Sequence, residues 1–148
     1  MWLISVPLWL EHNFVICGDV IRENIVTRDG NCDFVLFIAG YIAGVIDCCT
    51  QIDARETGTP WNEQHYYFLI HVVLKRLKPL IGECERWLLN INLEQLKANK
   101  HGWAGMMAGG TDFTNFLNRT PGAMRGEFAK FILPYLERNQ NGENNGRA

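Results

Sequence analysis

The run Arg28-Asp29-Gly30-Asn31-Cys32-Asp33-Phe34 sets a cysteine straight after a turn signal, at the expected N-terminus of a helix. Free N–H groups and the helix dipole favour a thiolate at such a position. The same amides can hold an oxyanion. A cysteine hydrolase or transferase built on Cys32 also needs a base. Of the four histidines, His12, His65, His71 and His101, we take His65 and His101 as the candidate bases. Asp33 opposes this chemistry, because a neighbouring negative charge raises a thiol pKa. The plain alternative is that Cys32 packs as a small hydrophobe.

Asp29-Gly30-Asn31-Cys32 followed by His65-Tyr66 is similar to the two catalytic signatures of ovarian-tumour-type cysteine proteases. That resemblance implies Cys32 as nucleophile and His65 as base. The chain departs from the family at three points. Cys32 precedes His65 by only 33 residues, Asp33 stands where the family has an apolar residue, and His65 is read on a helix rather than beside a strand.

Other chemistries find less to use. The five cysteines, Cys17, Cys32, Cys48, Cys49 and Cys84, form no C-x-x-C pair, and the histidines form neither H-E-x-x-H nor H-x-x-x-H, so no metal or other cofactor is expected. Glu83 and Glu85 are two apart on an expected helix and do not face each other. Residues 99–111 carry four glycines but no phosphate-loop pattern. Lys97, Lys100, Trp103, Arg119 and Arg125 combine cations with an aromatic platform, which suits a phosphate backbone or a single strand. Trp61, at an expected helix start, and Trp103, in the glycine-rich stretch, are candidate anchors for a protein partner.

The elements that must position these residues are read from periodicity and punctuation. Trp2–Val6, Phe14–Cys17 and Ile21–Val26 read as short strands, with Gly18-Asp19 and Asp29-Gly30 as turns. Asp19 capping a short helix is the alternative for the last of them. Asn31 caps a long, apolar, central helix over Cys32–Asp53. Thr59-Pro60 opens a helix to Lys78, and Pro79 kinks or breaks it. A further helix covers Leu80–Leu89, and Asn92 with Gln95 resembles a capping box opening a short one to Ala98. Residues 99–111 are expected as a loop or irregular segment, Thr111 caps a short helix to Leu117, and Thr120-Pro121 opens the last helix, to Arg138.

The apolar run Phe34–Ile46 is 13 residues long between Asp33 and Asp47. A membrane span needs about 20, so the run is expected to be core and a membrane partner is disfavoured. Gly40 and Gly44 form a G-x-x-x-G that permits close helix approach. No basic n-region or cleavage site marks a signal peptide, and the odd cysteine count fits reduced thiols, so a cytoplasmic setting is expected.

With 148 residues, 47% hydrophobic and 20% charged, the chain suits one domain, and a wholly disordered, collagen-like or disulfide-scaffold protein is excluded. Residues 1–64 carry three basic and nine acidic residues, net −6; residues 65–148 carry eleven and seven, net +4; together these give −2. Such asymmetry can steer a partner or be neutralised within the fold.

The resulting expectation is an α+β domain over residues 1–138. A short N-terminal β-hairpin or small sheet packs on a mainly helical body with a central apolar helix, and 139–148 form a disordered polar tail. The expected function is a small protein-interaction module of inhibitor, immunity or adaptor type that occludes a protein partner. The Cys32 hydrolase or transferase and a nucleic-acid binder are the alternatives. Homodimerisation through the same apolar surface is a further expectation.

Overall fold

The structure is a computed structural model describing residues 2–15, 32–81, 92–118 and 126–134. Six helices lie among them: α1 (Trp2–Val15), α2 (Cys32–Thr57), α3 (Glu63–Ile81), α4 (Leu93–Ala98), α5 (Lys100–Leu117) and α6 (residues 126–134). No strand occurs among the described residues. The α+β expectation is therefore corrected to an all-helical architecture. The expected strand Trp2–Val6 and the start of Phe14–Cys17 lie in α1. The reason is visible in the burial pattern: Val6, Trp9, Leu10 and Phe14 are all buried, at the spacing of one helical face. The expected Ile21–Val26 strand, most of the Leu80–Leu89 helix and the 139–148 tail lie outside the described residues.

The central apolar helix is present as α2. At 26 residues it is about 39 Å long. Among the described residues, its stretch Asp33–Thr57 is the one that is long and apolar enough to cross a membrane. In this fold 72% of its most apolar window is buried inside the molecule. The helix ends in a Schellman motif: Gly58 takes φ 68°, Gly58 N donates to the Arg55 carbonyl at 3.3 Å, and Thr59 N donates to Ala54 at 3.0 Å.

The glycine-rich stretch expected as a loop is instead the first half of α5. Its N-terminus is capped by Asn99, whose side chain accepts from His101 N at 2.9 Å and Gly102 N at 3.1 Å. Gly105 and Gly109 face α2, and Gly102 backs onto Leu96 of α4. A Cβ at Gly40 would collide with the Gly102 carbonyl, at Gly44 with Met106, at Gly105 with Phe37 and at Gly109 with Tyr41, all of them backbone atoms. Contacts rise together along both chains, 40 with 102 and 44 with 106, so the two helices run parallel. Helix propensity argues against four glycines in a helix, by about 1 kcal/mol each relative to alanine. Backbone-to-backbone packing outweighs that cost, through close dispersion contact over a long seam.

The other helices close around this pair. The α1 helix lies along α3, with Glu11 ion-paired to Arg76. Trp9 reaches the far end of α5, its ring centroid 5.6 Å from Phe113 and 5.3 Å from Phe116. The α3 helix opens at Glu63, where Asn62 accepts from Gln64 N at 2.8 Å, rather than at the expected Thr59-Pro60. Thr59 is engaged elsewhere, its hydroxyl 2.7 Å from that of Thr57. Pro79 does not end α3, which runs on to Ile81. The α4 helix has the capping box expected of Asn92 and Gln95. On α6, Phe128 lies 4.9 Å from Phe14 and 5.0 Å from Tyr41, and Phe131 stacks on Phe37 at 3.7 Å.

Candidate functional site

With its glycine side sealed against α2, α5 presents the opposite side to solvent. Trp103 is 48% exposed and Met107, one turn on, 54%. No charged residue falls between Trp103 and Thr111. Met107 lies between two shallow clefts. One, of about 430 Å³, is lined by Phe37, Ala104, Ala108 and Phe131; the other, of about 360 Å³, by Cys48, Met106, Gly110 and Thr114. A Cβ on Gly110 would touch nothing within 4 Å among the described residues, so the seam does not require a glycine there. The helix contributes an apolar strip with a tryptophan at one end, and the ion pair of Glu127 with Lys130 on α6 lines the larger cleft beside it.

The residues singled out from sequence separate into groups. Trp103 is exposed as an anchor would be, on a helix and not in a loop. Lys100, the first residue of α5, is exposed nearby. Trp61 is half-buried and tied down: its Nε1 donates to Thr50 Oγ1 at 2.8 Å and its ring lies 6.1 Å from Tyr66. Lys97, on α4, lines a different cleft that it shares with Trp61. Arg119 and Arg125 lie outside the described residues.

The candidate bases occupy opposite ends of α2. His65 Nε2 lies 3.3 Å from Asp53 Oδ2. Asp53 is 21 residues beyond Cys32, about 30 Å along the helix axis. His101 stands at the other end, with Nε2 3.3 Å from Asp33 Oδ1, and Asp33 is the neighbour of Cys32. Because α2 and α5 run parallel, their N-termini share this end. Cys32 is the first residue of α2, and its side chain lies outside the described residues.

Cys48 and Cys49 are free thiols, half-buried and buried respectively. Burial first, then the charges of Cys48 and Asp53, push the Cys49 thiol far up and leave it inert. Among the described residues no group of three His, Cys, Asp or Glu side chains could hold a metal ion.

Met107 is not legible from the sequence, because its glycine-rich stretch has the composition of a loop. Sequence reading also misses the buried Asp112, which accepts from the Tyr41 hydroxyl and from the first amides of α6. The available signal was a lone carboxylate following an apolar, glycine-rich run.

The chain matches no protein-family description, no curated protein and no solved structure.

Proposed function

We propose that this chain is a small protein-interaction module of inhibitor, immunity or adaptor type, acting in the cytoplasm, whose docking face is the outer side of α5. The observation that carries the reading is the pair Trp103 and Met107, each about half exposed one turn apart on a helix that packing holds rigid. A rigid aromatic anchor loses little entropy on binding. A thioether beside it adapts to varied partners, and tryptophan is enriched among residues that dominate binding energy. Occlusion of the partner would follow from laying this face over its functional surface.

The test is affinity capture from cell extract, comparing the wild type with Trp103→Ala and Met107→Ser. Phe68→Ser, on the exposed side of α3, serves as control. A partner lost with the first two variants and kept with the third supports the reading. Capture that none of the variants changes removes it.

One observation favours a second reading, a cysteine hydrolase or transferase with Cys32 as nucleophile. His101 lies at the Cys32 end of α2, paired to Asp33 at 3.3 Å, so the base would be His101 rather than His65. Site-resolved alkylation against pH tests it. A Cys32 that reacts well below its ordinary range, and loses that reactivity in His101→Gln, supports the enzyme. A Cys32 that reacts only near pH 8.5, like a free thiol, removes it.

A further inference from the structure

A cleft of about 320 Å³ lies where the second half of α2, the start of α3 and α4 meet. It shares no lining residue with the two clefts beside Met107. Three carboxylates line it: Asp47, Glu63 and Glu94. None of them makes an ion pair with a described residue. Two aromatic rings, Trp61 and Tyr67, line it as well, together with Leu93. Lys97 supplies its single positive charge.

The chemistry of this lining is specific. Each carboxylate accepts hydrogen bonds and donates none. Aromatic faces attract cations, most of all where water is partly excluded. The indole of Trp61 is not free to swing, since Thr50 holds its Nε1 at 2.8 Å. Asp47 also acts on its surroundings: burial, then Tyr67 and then Asp47 hold the Tyr66 hydroxyl protonated well above its ordinary range. Three carboxylates against one ammonium leave a charge of −2 on an open cleft, with Asp47 half-buried and Glu63, Glu94 and Lys97 exposed at its rim; its volume is of the size that small ligands occupy, roughly 300–1,000 Å³. A bare metal ion would use the oxygens and waste the rings. An apolar molecule would use the rings and leave the carboxylates without a partner, and an anionic one would be repelled by them.

We infer that the Asp47–Trp61–Glu94 cleft binds a small organic dication, an ammonium or guanidinium pair on a short hydrocarbon chain. The two cationic ends meet the carboxylates, the hydrocarbon lies on Trp61 and Tyr67, and Lys97 limits the bound charge to two. This site takes its argument from none of the residues of the α5 face, so it stands or falls apart from the proposed docking role.

The experiment is calorimetric titration of the full chain at low ionic strength with agmatine, which joins a guanidinium and an ammonium through a short chain. Magnesium ion and butylamine are titrated in parallel. Agmatine is expected to bind with a one-to-one end point, more tightly than either control. Asp47→Asn and Glu94→Gln are each expected to weaken it about ten-fold, the loss of one charged hydrogen-bond partner. Lys97→Gln is expected to tighten it. Glu127→Gln, on α6, is expected to leave it unchanged. Circular dichroism of each variant checks the fold, and Glu94 lies on the exposed side of α4, so its variant does not depend on core packing. Agmatine that fails to bind, binds no better than magnesium ion or butylamine, or binds equally to Asp47→Asn and Glu94→Gln overturns the inference.

Discussion

The Tyr41 hydroxyl donates to Asp112 Oδ2 at 2.7 Å, and the same carboxylate accepts from Glu127 N at 2.7 Å and Phe128 N at 3.0 Å. One buried side chain on α5 thus joins α2 to α5 and caps α6. A carboxylate only 1% exposed would be costly to bury alone. Here the free amides and the dipole of α6 offset its charge, and the phenol completes the set.

Removing pieces of this junction should loosen α6 in a graded way. Tyr41→Phe takes away one hydrogen bond to a charged acceptor and should cost about 1.5–3 kcal/mol. Asp112→Asn keeps one acceptor but turns an amide donor towards a neighbouring donor, and should cost about 2–4 kcal/mol. The double variant should cost less than the sum, with a coupling of about 0.5–3 kcal/mol. Gly126→Ala should also destabilise, because its Cβ would collide with Asp112 Oδ1. Urea unfolding of the four variants checks this; additive costs would mean that Tyr41 and Asp112 act independently.

The glycines of α2 and α5 divide by what a methyl group would meet. At Gly44 and Gly105 it meets main chain of the facing helix, which cannot give way as a flexible side chain would. Alanine there should cost at or above the top of the about 1–3 kcal/mol range for overpacking. At Gly110 it meets open space. Gly110→Ala should therefore stabilise the helix by about 0.5–1 kcal/mol, the ordinary gain in a helix interior. Thermal melts of the three variants give opposite signs if the seam is as described.

The same glycines explain why the fold was only half legible. Glycine clusters signal loops when the chain is read locally, yet between Gly40, Gly44, Gly105 and Gly109 they are the packing surface. That surface exists only once α2 and α5 are side by side. The α2 helix was legible because its apolar run is long and unbroken from Phe34 to Ile46; its expected cap, Asn31, lies outside the described residues. The Asn92 box was legible because both partners lie within four residues. The α1 helix was misread because Pro7 and apolar residues on several sides obscured a period that burial makes plain at Val6, Leu10 and Phe14. Cys32, Trp103 and Lys97 could be named from their types. That His101 and not His65 shares the Cys32 end depends on two helices running parallel, which no spacing in the sequence records.

Two buried groups make a prediction about alkaline pH. Burial is the first cause that raises both Cys49 and Tyr66 in the folded chain. A group raised on folding holds its proton when folded and releases it when unfolded. Its contribution to stability is fully present below the unfolded pKa and is lost as pH climbs above it. Stability should therefore be flat with respect to these groups through neutral pH. It should fall once pH passes about 8.5 for cysteine and about 10 for tyrosine, by about 1.4 kcal/mol per pH unit for each group. Urea unfolding between pH 7 and 11 checks the onset. Cys49→Ala should delay it towards the tyrosine range, and an unchanged onset in that variant would assign the loss to other groups.

The described thiols should also differ in reactivity, and the order ties back to the two functional readings. Cys49 is buried with its thiol held protonated, so native alkylation should not touch it before unfolding. Cys48 is half-buried in the cleft beside Met107, with Sγ 3.7 Å from Thr114 Oγ1, so it should react slowly. A partner seated on the α5 face would cover that cleft and protect Cys48 further. Mass spectrometry of the alkylated chain, with and without captured partner, reads this site by site. Protection of Cys48 that disappears in Trp103→Ala would link the thiol to the docking face. Protection that survives the substitution would show that Trp103 does not anchor the partner, and a captured partner that leaves Cys48 unprotected would place it elsewhere. In the same experiment Cys49 serves as the internal standard for an intact core, because its modification reports unfolding and not binding.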